Sequence, residues 1–333
     1  MNATIGTIQT DRADSTHRRT SPLRVGTRGS PLALVQTRAF MAHLARAFPA
    51  LRESGSFEEH AIVTTGDTVQ DRRLADIGGK GLFAKEIHEA LTDGRIDFAV
   101  HSLKDLETAL PRGIVLGCTL TREDPRDVLI LGDACGAPDP GDPLAALPRN
   151  ALVGTSSMRR QAQLLYIRPD LRIELLRGNV QTRLAKPGDG VCDATILAAA
   201  GLRRLGLDAP HSVPLPPSVM VPSAGQGIVG VTVRADDHAA LELLAAIEDA
   251  DARLAATAER SLLAELDGSC RAPIGAFARM LPDGRLLLTG MVARADGSFL
   301  LKRDLAGRPA DAERLGQTLG TSLFADAPSD IFE

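Results

Sequence analysis

The hydrophobic positions in the first third of the chain form short apolar runs that alternate with longer amphipathic stretches. Apolar runs of strand length lie at residues 23–27, 60–65, 98–103, 114–119 and 128–131. A helix is predicted from Ser30, its cap, with Pro31 at the first position, to about residue 48. A second helix is predicted at about 82–92, where Gly94 stops it, after a glycine-rich charged loop at 66–81. This alternation predicts an α/β unit.

The same alternation restarts after a segment rich in proline, glycine and aspartate. That segment, residues 134–148, predicts a linker or surface loop. Strands are then predicted at 152–155, 173–176, 194–198 and 228–233, with helices at 157–166 and 179–186 and one long or two broken helices at 237–264. A second α/β unit is therefore expected.

The last part of the chain has a strand-and-turn pattern instead. Residues 274–280 and 285–294 alternate around Pro282-Asp283-Gly284, which predicts a hairpin, and Asp296-Gly297 begins a second turn into 299–305. An amphipathic stretch at 311–324 predicts a covering helix. The expected unit is a small antiparallel sheet with helices on one side.

Composition narrows the setting. The chain has 333 residues, enough for two or three domains, and its net charge of −4 argues against a general nucleic-acid binder. No membrane span or signal peptide is recognisable, so the cytoplasm is expected. Residues 1–20 are polar and mixed in charge, which predicts a disordered tail. Asp11 and Asp14 disfavour a transit peptide in this segment. The four cysteines form no C-x-x-C pair, which disfavours a zinc site or a disulfide framework.

Three segments place a hydroxyl side chain and arginines where a helix is predicted to begin. They are residues 28–31, 154–160 and 177–183. A helix start offers unpaired N–H groups and partial positive charge, and arginine matches a carboxylate with two hydrogen bonds. Because all three follow strands, they should meet at the carboxyl edge of the sheets, together with residues 101–105. The sequence therefore predicts a cleft for a ligand with several negative groups, containing one carboxylate, Asp105.

Simpler interpretations of these residues stay open. Serine at a helix start is usually just a cap, and arginine in a first turn is usually solvated. Lys104 and Asp105 are as readily an exposed ion pair. Cys270 is by itself more often an inert small residue, although the neighbouring Gly268, Ser269 and Arg271 favour an accessible thiolate.

Seven short motifs follow one another along the chain. They are Val25-Gly26-Thr27-Arg28-Gly29-Ser30-Pro31, Gly78-Gly79-Lys80-Gly81-Leu82-Phe83, Val100-His101-Ser102-Leu103-Lys104-Asp105, Gly154-Thr155-Ser156-Ser157-Met158-Arg159-Arg160, Arg177-Gly178-Asn179-Val180, Ala224-Gly225-Gln226-Gly227 and Cys270-Arg271-Ala272-Pro273. With these motifs the chain resembles the porphobilinogen deaminase family from about residue 23 to 325. Each motif is modest, but their order is specific.

The resemblance implies an α/β fold of three domains. Domain 1 (21–120 and 222–247) and domain 2 (121–221) would be lobes similar to periplasmic binding proteins. Domain 3 (248–333) would be a small α+β unit with a three-stranded antiparallel sheet. The family joins four porphobilinogens head to tail on a dipyrromethane cofactor, loses ammonia and releases hydroxymethylbilane for tetrapyrrole synthesis. The implied protein is a cytoplasmic, monomeric transferase without metal, nucleic acid or membrane, which could pass its product to uroporphyrinogen-III synthase.

Residue roles follow from the matched motif positions. Asp105 would stabilise the cation left when ammonia departs, and Cys270 would hold the dipyrromethane through a thioether. The implied cofactor-binding residues are Ser102, Lys104, Ser157, Arg159, Arg160, Arg183, Gly201 and Arg204. The implied substrate-binding residues are Arg28, Ser30, Lys80, Phe83, Arg177, Arg183 and Gln226. Phe98 could also pack against a pyrrole ring or be a core residue.

Three positions depart from the family's usual pattern. Asp76 stands where lysine is common, Leu106-Glu107 replaces a frequent Val-Pro, and Ser269 replaces a frequent glycine. Two rival classes also stay open: a binding protein for a small anion, and a phosphate-handling transferase. The first predicts no third domain and no pyrroles on Cys270, and the second would need a P-loop or an acidic metal pair, which the sequence lacks.

Overall fold

The computed structural model describes residues 22–68, 81–266 and 272–332. The strands are β1 (Leu23–Arg28), β2 (Phe57–Ile62), β3 (Phe98–Ser102), β4 (Ile114–Thr119), β5 (Asp127–Leu131), β6 (Leu152–Gly154), β7 (Arg172–Glu174), β8 (Ala194–Ala198), β9 (Ser212–Leu215), β10 (Val229–Arg234), β11 (Ile274–Met280), β12 (Leu286–Ala293) and β13 (Leu300–Gly307). The α-helices are α1 (Pro31–Ala47), α2 (Thr65–Thr68), α3 (Lys85–Thr92), α4 (Met158–Ile167), α5 (Val180–Ala185), α6 (Ala199–Arg204), α7 (His238–Ala245), α8 (Ala250–Glu265) and α9 (Ala312–Asp326).

The first lobe is built on a five-stranded sheet in the order β2-β1-β3-β10-β4. Strand β1 is parallel to β2 and β3, whereas β10 is antiparallel to both of its neighbours. On one face Phe40 and Leu44 of α1 are fully buried with Phe98. On the other face Ile87 and Leu91 of α3 are equally buried. Covering both faces excludes water from the strands, which explains their continuous apolar runs.

The second lobe repeats this topology. Its sheet has the order β7-β6-β8-β5-β9, with β6 parallel to both neighbours and β5 antiparallel to β8 and β9. In each lobe the antiparallel strand is the one reached by a crossing of the chain between lobes: β5 after the first crossing and β10 after the second. Two α/β lobes joined by two crossings confirm the predicted fold class.

The third unit is the sheet β11-β12-β13, which is antiparallel throughout, with helices α8 and α9 packed together against it. The two helices approach closely at Gly316, where a Cβ atom would lie 2.4 Å from the Ala258 carbonyl oxygen. This is the predicted small α+β unit with its three-stranded sheet.

A buried carboxylate attaches the third unit to the crossings. Glu259 of α8 is fully buried and accepts hydrogen bonds from Arg122 Nη1 at 2.6 Å, the Gly225 N–H at 2.6 Å and the Ala278 N–H at 2.7 Å. Arg122 lies on the first crossing and Gly225 on the second. The helix that leads towards Cys270 is therefore fixed to both connections between the lobes.

Residues 237–264 form two helices, the second of the two predicted alternatives, because Asp237 and Asp249 each cap a new start. The predicted boundaries of one strand were wrong. The strand predicted at 60–65 is Phe57–Ile62, since Thr65 already begins α2. The predicted tail at 1–20 and most of the predicted loop at 66–81 lie outside the described residues. In the described parts of the chain, no helix is long and apolar enough to cross a membrane.

Candidate active site

The candidate catalytic residue lies on a tight turn after strand β3. The strand ends at Ser102, and residues Leu103–Asp105 form one 3-10 turn, closed by a hydrogen bond from the Leu106 N–H to the Leu103 carbonyl at 3.1 Å. Leu103 is buried, while Ser102 exchanges hydrogen bonds with Gln36 of α1 at 3.0 and 3.1 Å. Lys104 and Asp105 are therefore held on one turn at a strand end, as the sequence predicts.

The three predicted helix starts all carry caps. Ser30 Oγ accepts a hydrogen bond from the Ala33 N–H at 3.3 Å, and Ser157 Oγ accepts one from the Arg160 N–H at 3.4 Å. At the third start the cap is Asn179, which accepts from the Thr182 N–H at 2.8 Å. Capping is thus a real role of both serines. A capping hydroxyl accepts a hydrogen bond and keeps its own proton for donation to an anion.

The carboxylate of Asp127 is at the centre of the arginine cluster. It is fully buried at the start of β5. Its Oδ2 accepts from Arg159 Nη2 at 2.8 Å, and its Oδ1 accepts from Arg160 Nη2 at 2.8 Å and from Gln226 Nε2 at 3.0 Å. The arginine cluster therefore contains a buried carboxylate that the sequence analysis did not predict. An aspartate opening an otherwise apolar strand was the available signal, since a buried charge needs partners.

Arg159 and Arg160 are supports buried beneath the cleft surface. Each is no more than 7% exposed, and each donates a further hydrogen bond to a backbone carbonyl, Arg159 to Val221 at 2.5 Å and Arg160 to Ile196 at 2.9 Å. The sequence analysis placed Arg159 in the lining of the cleft, and its burial corrects this. Both guanidinium groups are built into the second lobe.

Replacing Arg159 should therefore destabilise the protein. Arg159→Leu removes a charged hydrogen bond to Asp127 and one of the two hydrogen bonds to the Val221 carbonyl, so the free energy of unfolding should fall by about 1.5–3 kcal/mol. Urea unfolding monitored by circular dichroism measures this. Arg112 is exposed and serves as the control; Arg112→Leu should change stability by less than about 0.5 kcal/mol. Equal stability of the two variants would contradict the structural role of Arg159.

Lys104 and Arg183 bring further positive charge to the Asp105 turn. Lys104 Nζ lies 3.5 Å from Oε1 of Gln226, the amide that also contacts Asp127. Burial lowers the pKa of Lys104 to about 8, against the opposing influence of Asp105. Burial likewise lowers the pKa of Arg183 to about 10, and Arg160 lowers it further. Each group senses the charges of the others, so cations from both lobes converge here.

The charges of this cluster do not balance. Lys104, Arg159, Arg160 and Arg183 carry four positive charges, whereas Asp105 and Asp127 carry two negative ones. Desolvation penalises the cations, which is why the pKa values of Lys104 and Arg183 fall. A bound ligand with several carboxylates would offset the excess.

Arg28 is engaged at the end of β1. Its Nε lies 3.2 Å from both carboxylate oxygens of Asp67, and its guanidinium carbon lies 4.0 Å above the ring of Phe83. Burial acts to raise the pKa of Asp67, but its hydrogen bonds with Arg28 and Thr64 hold it below its ordinary value. Phe83 is half-buried against this guanidinium. Phe98, in contrast, is fully buried edge-to-face with Phe40 at 5.6 Å, so it is a core residue.

The remaining predicted residues lie around this cluster or beyond the described residues. Arg204 donates to the Gly227 carbonyl at 2.7 Å, and Gly201 is buried where a Cβ atom would lie 3.7 Å from Leu32 of the first lobe. Arg177 is partly buried and contributes to the field at Arg183. Lys80 and Cys270 lie outside the described residues.

Two other kinds of site are not supported here. Among the described residues, no three histidine, cysteine, aspartate or glutamate side chains are grouped as a metal site. A cavity of about 520 Å³ lies between Pro125, Pro217 and Phe277, against the third unit. Its lining includes none of the predicted site residues, so the chemistry is assigned to the Asp105 turn.

Two α/β lobes with a cationic cluster at their facing strand ends, one acidic turn and an attached α+β unit define a class: a two-lobed protein for a polyanionic ligand. Residues 23–242 match the family model described as "Porphobilinogen deaminase, dipyromethane cofactor binding domain", and residues 253–325 match "Porphobilinogen deaminase, C-terminal domain". The chain belongs to the porphobilinogen deaminase family.

Individual relatives agree over nearly the whole chain. The porphobilinogen deaminase of Paracoccus denitrificans is 46% identical over 313 residues, which cover 94% of this chain and 97% of that protein. That of Syntrophobacter fumaroxidans is 44% identical, covering 93% and 97%. The chloroplastic enzyme of Oryza sativa is 44% identical, covering 94% and 86%. Among solved structures, the substrate binding protein of an amino acid ABC transporter is similar at 13% identity and a TM-score of 0.36, covering 68% of this chain and 92% of that one.

Proposed function

We propose that this chain joins four porphobilinogen molecules head to tail on an enzyme-bound dipyrromethane, releases one ammonia for each, and frees hydroxymethylbilane by hydrolysis. The observation that carries the proposal is the charge excess around a single turn: cations from both lobes surround Lys104 and Asp105. Each pyrrole of the substrate bears an acetate and a propionate. Such a chain of carboxylates matches the excess of positive charge in this cluster.

The residues present fit a dipyrromethane. The cluster has four positive charges and two negative ones, so the carboxylates of the cofactor would offset the excess. The groups that would hold the cofactor are Ser102, Lys104, Ser157, Arg159, Arg160, Arg183, Gly201 and Arg204. Cys270 would anchor it through a thioether. When bound, the cofactor supplies the pyrrole carbon that forms the new carbon–carbon bond. Arg159 and Arg160 contribute mainly through the charge they hold in place, since Asp127 and backbone carbonyls contact two of the three guanidinium nitrogens of Arg159 and all three of Arg160.

Asp105 is the carboxylate assigned to chemistry. Asp127 is committed to two arginines and Gln226, whereas Asp105 forms no hydrogen bond or ion pair with any other described residue. Loss of ammonia from porphobilinogen leaves a cation delocalised over the pyrrole ring. The arginines that bind the substrate carboxylates repel that cation, so one carboxylate at the ring nitrogen is needed to stabilise it.

The incoming substrate would be held by Arg28, Ser30, Lys80, Phe83, Arg177, Arg183 and Gln226. Asp67 takes the Nε and Nη2 donors of Arg28, so we assign its Nη1 edge to a substrate carboxylate. Gln226 is fully buried and bridges Lys104 and Asp127, which makes it a positioning residue between the lobes.

The test is a balance of substrate and products. The purified chain is incubated with porphobilinogen, and the ammonia released is compared with the porphobilinogen consumed. Equal amounts, together with a colour reaction of the protein with Ehrlich's aldehyde reagent, are expected. Binding without consumption would favour the rival anion-binding protein, and an absent colour reaction would refute the dipyrromethane.

The charge on Lys104 should give the reaction an alkaline limit. The pKa of Lys104 is lowered to about 8, so raising the pH through this value removes a cation that binds carboxylates. In the free enzyme kcat/KM should therefore fall above about pH 8. Lys104→Arg keeps the charge at these pH values and should remove that limb. A limb unchanged in Lys104→Arg would assign it to another group.

The same low pKa has a consequence for stability. The unfolded chain holds the Lys104 proton up to its ordinary pKa of 10.5, whereas the folded chain releases it from about pH 8. Between these values the unfolded state binds more protons, so this residue makes the folded state relatively more stable as the pH rises.

We infer further that the protein is a transferase that works as a cytoplasmic monomer and passes hydroxymethylbilane directly to a uroporphyrinogen-III synthase. We infer direct transfer because the product is linear and must still be closed into a ring. Light scattering of the purified chain would test the monomer, and a dimer mass would refute it.

A further inference from the structure

A buried glutamate–histidine pair lies directly behind the Asp105 turn. Glu107 places Oε1 3.3 Å from Nδ1 of His88 on α3, and the two side chains are 10% and 2% exposed. Oε2 of Glu107 and both ring nitrogens of His88 are buried and have no hydrogen-bond partner among the described residues. Burying polar atoms without partners costs free energy. Stability alone therefore does not account for the pair.

The charged groups around the pair keep Glu107 ionised. Burial acts to raise the pKa of the Glu107 carboxyl, but contact with His88 and the charge of Arg260 hold it below its ordinary value. On the other side, the His101 ring of β3 lies 5.4 Å from the His88 ring and bonds to Thr232 at 3.0 Å. Burial lowers the pKa of His101 to about 3, so that ring is neutral.

The backbone that follows Asp105 is held from a second side by the third unit. Arg260 of α8 donates to the carbonyl oxygens of Leu106, Glu107 and Thr108, at 3.3, 2.7 and 3.0 Å. The side chain of Glu107 reaches in the other direction, towards α3 of the first lobe. The downstream end of the turn is thus fixed between two units of the protein.

Glu107 occupies a position where a proline would restrict the backbone more strongly. Leu106 has φ −93° and ψ 132°, the extended region that residues before proline adopt. No backbone hydrogen bond from the Glu107 N–H to another residue is present in the described parts of the chain. A proline here, which has no N–H, would break no backbone hydrogen bond to another described residue and would restrict φ by itself. Glutamate leaves the backbone freer, so another restraint is required.

We propose that Glu107 and His88 are positioning residues, which hold the turn so that the Asp105 carboxylate meets the pyrrole nitrogen. This proposal rests on the proposed role of Asp105. Neither side chain touches the substrate. The contact between the two side chains restricts the backbone of the turn, as a proline ring would.

Two substitutions at one position separate positioning from mere stability. Glu107→Ala and Glu107→Pro both delete the carboxylate and leave His88 without its partner, but only proline restrains the backbone. In the full-length enzyme with its cofactor, Glu107→Ala should lower kcat about 10-fold with KM within about 2-fold, because a displaced group loses rate and not affinity. Glu107→Pro should restore kcat to within about 3-fold of the native value. A purely structural pair predicts that proline is no better than alanine.

The partner residue gives an independent check. His88→Leu should lower kcat as Glu107→Ala does, and the double variant should be no slower than the slower single variant, since both remove one contact. Additive losses would refute the pair, as would native kcat in Glu107→Ala.

A readout without activity distinguishes this proposal from the proposed function. Hydrogen–deuterium exchange of the peptide covering residues 103–110 should quicken in Glu107→Ala and return to the native rate in Glu107→Pro, once the missing proline amide is subtracted. Unchanged exchange in Glu107→Ala would overturn the positioning role. A protein that shows these exchange rates but consumes no porphobilinogen would refute the proposed function alone.

Discussion

Asp105→Asn is expected to slow turnover by roughly 10²–10³-fold, the usual effect of removing a group that stabilises developing charge. Asparagine has nearly the same shape and keeps the turn, but its side chain is neutral. The surrounding cations, Lys104 and Arg183, still bind carboxylates, so substrate affinity should change little. The effect should therefore appear in kcat, measured as porphobilinogen consumption under saturating substrate.

The controls for Asp105→Asn separate charge from shape. Asp105→Glu keeps the charge and moves it by one methylene, so it should retain part of the activity. Asp93 is exposed at the C-terminal end of α3, and Asp93→Asn should be as active as the native protein. Near-native turnover of Asp105→Asn would show that another group stabilises the cation.

Cys270→Ala should abolish turnover, because no other cysteine is suited to anchor the dipyrromethane. Among the described residues, Cys118 is buried, and burial raises the pKa of its thiol to about 12. The thiol of Cys135 donates to the Asp193 carbonyl at 3.2 Å, and Cys192 is buried. Burial also raises the pKa of both of these thiols. A thiol that stays protonated is a poor nucleophile.

Intact-mass spectrometry checks the anchor directly. The native protein should be heavier than its sequence by two pyrrole units, and Cys270→Ala should have the mass of the bare chain. Alanine at Cys118, Cys135 or Cys192 should leave the added mass in place. A native protein that is active without added mass would exclude the thioether.

The sequence predicted the two lobes and the third unit because each depends on a local pattern. Apolar strands covered on both faces give continuous runs, and the hairpin of β11 and β12 has its turn at Asp283-Gly284. The break between α7 and α8 was harder to see, because the apolar period continues across it. Only the caps Asp237 and Asp249 show where each helix begins.

The candidate site was predicted less completely, since its charges are arranged by tertiary contacts. Asp127 and Gln226 are 99 residues apart, and their hydrogen bond depends on the second crossing of the chain. Arg28 was correctly placed at a strand end, but no pattern in the sequence indicated that Asp67 would pair with it. The contact between His88 and Glu107 was equally hidden. Local patterns indicate where a side chain lies, whereas its partner is decided by the fold.

The two crossings of the chain between the lobes also determine the order in which the lobes can fold during synthesis. Within the described residues of the first sheet, β4 pairs with β10 alone, and residues 120–228 separate these two strands. Until residue 234 has left the ribosome, β4 has an unpaired edge and the first lobe lacks a strand from its interior. Such distant pairing slows folding and exposes strand edges to aggregation. The second lobe, whose five strands all lie within residues 127–215, is complete earlier and can fold first.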